Sequence, residues 1–163
     1  MFDDEILDLA RQVIEANLAA GRTIALAESC TGGLVAGALT EIAGSSEVFE
    51  RGFVTYSNEA KLESIGVNQD ILETFGAVSV AVAWAMAQGA LKHSHADVAV
   101  AITGIAGPGG GSPKKPVGTV VFACATRDED PSKVVADIEH FGDLGRSEIR
   151  RQAVIRALKL LLP

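Results

Sequence analysis

Cysteine is scarce in this chain. Only Cys30 and Cys124 occur among 163 residues, far apart in sequence. That excludes a disulfide framework, and free thiols in the cytoplasm are the simplest reading. Histidine is scarce too. His93 and His95 lie two apart at a predicted helix end, so they do not share a helical face. His140 stands alone, and no Cys/His/acid cluster has zinc-ligand spacing, so no protein-held metal and no cofactor are expected. Basic charge is in deficit, with 14 Lys and Arg against 21 Asp and Glu, a net charge of −7. A duplex nucleic-acid partner needs a basic field, and none is present. Long apolar runs are missing as well. The most apolar stretch, Gly76 to Ala90, is rich in alanine and contains Ser79 and Gln88. It reads as a core helix rather than a membrane span. The start, Met1-Phe2-Asp3-Asp4-Glu5, lacks the basic and apolar regions of a secretory signal. There is no internal repeat.

What is present is enough for one core. A chain of this length buries about 70% of its unfolded surface without staples. Apolar residues Ile6, Leu9, Ala10, Val13, Ile14 and Leu18 recur at helical spacing up to Gly21. Thr23–Ala27 suggests a strand, Thr31–Ile42 a helix rich in small residues, and Gly52–Tyr56 a second strand. Ser57 is placed to cap a helix reaching Ile65. A loop or short helix follows at Asn68–Phe75. Val80, Trp84, Ala87 and Leu91 share one face of the next helix. Asp97–Ile102 is apolar after its first residue, as a strand buried on both faces is. Val117–Ala125 and Lys133–Glu139 read as adjacent strands. A last helix from Ser147 turns Val154, Leu158, Leu161 and Leu162 inward. The alternation predicts an α/β layered fold with a mixed parallel and antiparallel sheet.

Three segments can carry chemistry. The first is Ala27-Glu28-Ser29-Cys30-Thr31-Gly32-Gly33, where a strand gives way to a helix. Backbone N–H groups there suit an anion or a developing oxyanion. Ser29 is a candidate nucleophile and Cys30 its rival. The plainer reading is that Ser29 or Thr31 caps the helix and the glycines allow close packing. The second is Thr55-Tyr56-Ser57-Asn58-Glu59-Ala60-Lys61. Lys61 falls about one turn into the helix. The helix dipole and burial both favour a neutral amine there, which a general base needs. Tyr56, the only tyrosine, has a hydroxyl that can relay a proton or orient the lysine. The plainer reading is a solvated lysine beside Glu59 and Glu63. The third is the Gly/Pro-rich run Gly104–Pro116, preceded by Thr103. Its N–H groups can approach a ligand, and Lys114 and Lys115 can meet a phosphate. It has neither a P-loop ending nor a dinucleotide fingerprint, so a plain crossover loop is the alternative. Of Arg146, Arg150, Arg151 and Arg156, one is a candidate for a ligand anion.

Together, Glu28-Ser29-Cys30-Thr31-Gly32-Gly33, Tyr56-Ser57-Asn58-Glu59-Ala60-Lys61 and Thr103-Gly104-Ile105-Ala106-Gly107-Pro108 resemble the CinA C-terminal-domain family. The likeness spans nearly the whole chain, including the Pro116-Val117-Gly118 step. It implies a three-layer α/β/α sandwich, one domain over residues 1–163, and a homodimer. It implies hydrolysis of nicotinamide mononucleotide to nicotinate mononucleotide and ammonia, in pyridine-nucleotide salvage. It also implies Ser29 as nucleophile, Lys61 as base and Tyr56 as helper. Cys30, Thr31, Gly32, Gly33, Thr103, Gly104 and Arg146 would bind substrate. Family members often carry Gly-Asp-Arg before the last helix. Here the run is Gly142-Asp143-Leu144-Gly145-Arg146, which displaces the arginine. Many relatives add an N-terminal nucleotide-pyrophosphatase domain with a metal. This sequence starts at the amidohydrolase part, so that activity and metal are expected to be absent. The competing function is a non-catalytic pyridine-nucleotide-binding or sensor module.

Overall fold

A computed structural model describes residues 1–163. Helix α1 (Asp4–Ala20) is capped by the Asp3 carboxylate and stopped by Gly21 in the left-handed region. Strand β1 (Ile24–Glu28) follows, then helix α2 (Leu34–Thr40), strand β2 (Phe49–Val54), and helices α3 (Asn58–Ile65), α4 (Gln69–Phe75) and α5 (Val80–Lys92). Strands β3 (Val98–Gly104), β4 (Thr119–Thr126) and β5 (Val135–His140) complete the sheet, and α6 (Arg146–Leu160) closes the chain. The sheet order is β2-β1-β3-β4-β5. β2, β1 and β3 are parallel; β4 and β5 run antiparallel. The mixed α/β sheet expected from the sequence is therefore present.

Strand alternation divides the core into two layers. Ile24, Leu26, Val98, Val100, Ile102, Val120 and Phe122 face one side, where they pack with α1, α2 and α6. Ala25, Ala27, Ala99, Ala101, Val121, Ala123 and Ala125 face the other, packed against α5. Large residues on one face and alanines on the other let α5 lie close to the sheet. The central strands are buried on both faces, as a continuous apolar run predicts.

Some boundaries and faces differ from the sequence reading. α2 starts at Leu34, not Thr31, because Gly32 and Gly33 take positive φ (57° and 96°) and form a turn first. The region 68–75 contains a helix. The inward face of α5 is Val82, Ala83, Met86, Ala87, Ala90 and Leu91. Val80 and Trp84 lie at its exposed edge, and the Trp84 indole donates to the Pro131 carbonyl at 3.1 Å. The alanine floor of the sheet accepts small residues and leaves no room for an indole.

β1 and β3 are neighbours, yet the chain leaves β1 toward β2 and later returns to β3 on the other side. That is a topological switch point, and ligands in open α/β sheets bind outside the strand ends there.

Candidate active site

Ser29 is the first residue beyond β1. Its N–H donates to the Ile102 carbonyl of β3 at 2.9 Å, and the Thr55 N–H donates to the Glu28 carbonyl at 2.8 Å. These bonds carry the β1–β3 and β1–β2 ladders to the rim and fix where residues 29 and 55 stand. Glu28 and Cys30 turn toward the α2 side, and Cys30 joins the core there. Ser29 turns the other way and meets α3.

Lys61 comes from α3, whose cap is the Ser57 hydroxyl, accepting from the Ala60 N–H at 3.0 Å. Only Lys61 and Ile65 of this helix are buried, one turn apart on its inner face. Lys61 is 1% exposed. Its Nζ donates to Ser29 Oγ at 3.1 Å, to the Thr55 carbonyl at 2.9 Å and to the Tyr56 carbonyl at 3.3 Å. No carboxylate pairs with it. Burial pushes the Lys61 amine below the ordinary lysine value, while the field of Cys30 acts weakly in the other direction. A neutral amine has two N–H donors and one lone pair. Two carbonyls can take the two hydrogens, which leaves the lone pair for the Ser29 hydroxyl. The reading of Lys61 as a solvated surface lysine is thereby excluded.

Cys30 is the less activated of the two candidates. Its side chain is buried, and burial pushes the thiol up to about 12. A protonated thiol is a poor nucleophile at neutral pH.

A cavity of about 270 Å³ opens beside this pair. Ser29, Cys30, Tyr56, Lys61, Thr103, Gly104 and Arg146 all line it, together with Ala77, Val78 and the loop residues Ile105, Ala106, Gly107, Gly109 and Gly110. The Thr103 hydroxyl donates to the Ala77 carbonyl at 2.8 Å. Gly104 is required by close approach, since a Cβ there would stand 2.8 Å from the Val120 side chain. Arg146 donates to the Gly107 carbonyl at 2.7 Å and to the Tyr56 hydroxyl at 3.0 Å. The displaced arginine thus reaches the cavity. The Tyr56 phenol is therefore engaged with Arg146, and residue 56 meets Lys61 through its carbonyl.

Three expected binding residues fall outside the cavity lining. Thr31 is fully buried, and Gly32 and Gly33 shape the turn behind Ser29. Neither Ser29 nor Thr31 caps α2. Glu28 does so instead: its carboxylate accepts the N–H groups of Gly33, Val35 and Ala36 at 3.1, 3.2 and 2.9 Å. The sequence pattern alone assigns no role to Glu28. Within the turn, the N–H groups of Cys30 and Thr31 donate to no protein acceptor. Lys115 also does other work, donating to the Phe75 carbonyl at 2.8 Å.

Fold and site together define an α/β sandwich with a buried serine–lysine pair at a sheet switch point. The CinA C-terminal domain model matches residues 6–163, and the chain belongs to that family. Nicotinamide-nucleotide amidohydrolase PncC of Escherichia coli (strain K12) is 54% identical over 162 residues, covering 99% of this chain and 95% of that protein. The protein of the same name from Enterobacter agglomerans is 48% identical over 163 residues, covering 99% and 96%. The crystal structure of competence/damage inducible protein CihA from Agrobacterium tumefaciens superposes with a TM-score of 0.94 at 53% identity, covering 99% and 96%.

Proposed function

We propose that this protein hydrolyses the carboxamide of nicotinamide mononucleotide, giving nicotinate mononucleotide and ammonia, with Ser29 as nucleophile and Lys61 as general base. The observation that carries this reading is the buried Lys61 amine 3.1 Å from the Ser29 hydroxyl at the edge of a cavity. The names of relatives matched over nearly their whole length, nicotinamide-nucleotide amidohydrolases, support the substrate class.

Amide hydrolysis needs an activated nucleophile, an acid for the leaving amine and donors for the oxyanion. Ser29 Oγ attacks the carboxamide carbon as Lys61 Nζ takes its proton. The tetrahedral oxygen is met by the free N–H of Cys30, which lines the cavity. Lys61 returns the proton to the departing nitrogen, ammonia leaves, and an ester remains on Ser29. Lys61 then takes a proton from water, the hydroxide equivalent attacks the ester, and the proton returns to Ser29 Oγ. The product leaves as a carboxylate. The substrate ring is a pyridinium cation, so a neutral lysine also avoids like-charge repulsion. Arg146, at the wall with Tyr56, meets the 5′-phosphate, and Thr103 and Gly104 contact the substrate. The same reading takes residues 1–163 as one domain working as a cytoplasmic homodimer. No helix is long and apolar enough to cross a membrane.

The test is incubation with nicotinamide mononucleotide, measuring ammonia and nicotinate mononucleotide beside a Ser29→Ala control. Equal amounts of both products from the wild type alone support the reading. Saturable binding without ammonia release from folded wild type, across pH 6–9, replaces it with a binding or sensor module.

A further inference from the structure

Glu28 is 1% exposed and does not line the cavity. The chemistry above leaves it unused. A buried carboxylate is costly unless donors surround it. Here the donors are all backbone. Oε2 accepts from Gly33 and Val35, and Oε1 from Ala36. One side chain at the end of β1 is thus tied to the first turn of α2, across the turn that carries Ser29. From α6, on the same face of the sheet, Arg150 donates to the Cys30 carbonyl at 3.1 Å and to the Thr31 carbonyl at 3.4 Å. An anion holds N–H groups at the far end of the turn, and a cation holds carbonyls in its middle. The free donors left between them are the N–H groups of Cys30 and Thr31.

We infer that Glu28, together with Arg150, is a positioning residue: it closes the β1–α2 turn so that Ser29 Oγ stays against Lys61 Nζ, and it does so without touching substrate. The inference deepens the reading of Ser29 as nucleophile and rests on it. Alternation along β1 explains why the two neighbours divide the work. Residue 28 faces α2 and residue 29 faces α3.

The test uses a readout that does not need the native substrate. A fluorophosphonate labels an activated serine, and its rate at Ser29 is followed by peptide mass spectrometry. Glu28→Gln replaces one acceptor oxygen with a donor that faces an N–H group. A displacement of about 1 Å at a reacting atom costs roughly 10²-fold. Labelling and kcat should therefore both fall by about that factor. KM for nicotinamide mononucleotide should stay within about threefold, because the side chain does not reach the ligand. In Glu28→Ala, added formate should restore labelling and kcat, whereas chloride at equal ionic strength should not. If neither Glu28 variant folds by circular dichroism, Arg150→Lys loosens the same turn from its carbonyl side and is read the same way. Wild-type labelling in folded Glu28→Gln, or in Arg150→Lys when that variant stands in, overturns the inference. So does a loss confined to KM. Wild-type protein that labels at Ser29 yet releases no ammonia refutes the proposed substrate and leaves the positioning role standing. Wild-type protein that does not label at Ser29 overturns both.

Discussion

Replacing Lys61 with methionine removes the amine and keeps most of the side-chain volume. The Thr55 carbonyl loses its buried partner, which costs about 1–3 kcal/mol. Relief from burying an ammonium offsets part of that, so the variant should fold. The catalytic effect is larger. A positioned base supplies roughly 10²–10⁴-fold. That is about 3–5.5 kcal/mol of barrier, at 1.36 kcal/mol per tenfold. The assay is ammonia release from nicotinamide mononucleotide across pH 6–10. In the wild type, kcat/KM should rise with pH as Lys61 loses its proton, and it should level off below the ordinary lysine value, because burial lowers that pKa. In Lys61→Met this ascending limb should vanish along with most of the rate. Stability has a matching sign. Between the lowered folded pKa and the ordinary lysine value, the unfolded chain holds more protons than the folded one. Stability therefore rises with pH in that window and falls as pH drops through the folded pKa. Denaturant titrations of Lys61→Met should lose this slope. A variant with wild-type turnover, or a wild-type limb at or above the ordinary lysine value, would refute the reasoning.

Two further substitutions separate neighbouring groups. Cys30→Ala should keep kcat/KM within about threefold and lose about 1 kcal/mol of stability, since the thiol packs into the core beside the cavity; denaturant melts and ammonia release check both, and complete loss of turnover in a folded variant would point to a thiol mechanism. Tyr56→Phe should lower kcat less than tenfold and leave the ascending pH limb in place, because the phenol bonds Arg146 while Lys61 is held by the Tyr56 carbonyl, which the substitution keeps. Loss of that limb would make the hydroxyl a proton relay.

The layered fold was readable because its signals are local. Gly21 ends α1, Ser57 caps α3, and the apolar run from Val98 to Ile102 marks a strand covered on both sides. The site was readable as a set of residue types. Its internal geometry was not, because it depends on contacts between distant elements. Which of Ser29 and Cys30 turns toward Lys61 depends on strand alternation carried one residue past Glu28, and the sequence does not mark where the strand ends. The reach of Arg146 to Gly107 and Tyr56 joins residues far apart in the chain. The contacts of Glu28 are hidden in the sequence for a related reason. Its partners lie five to eight residues ahead, and they come within range only because Gly32 and Gly33 turn the chain back. Trp84 shows the opposite failure: helical spacing placed it on a face, but only the alanine floor of the sheet decides which face is inward.

The most direct test of the central claim is to quench the protein with acid during turnover of nicotinamide mononucleotide and search its peptides for the substrate's mass less ammonia. The account predicts that adduct as an ester on Ser29, absent from Ser29→Ala. The same mass on the Cys30 sulfur, or full turnover by Ser29→Ala, would contradict it.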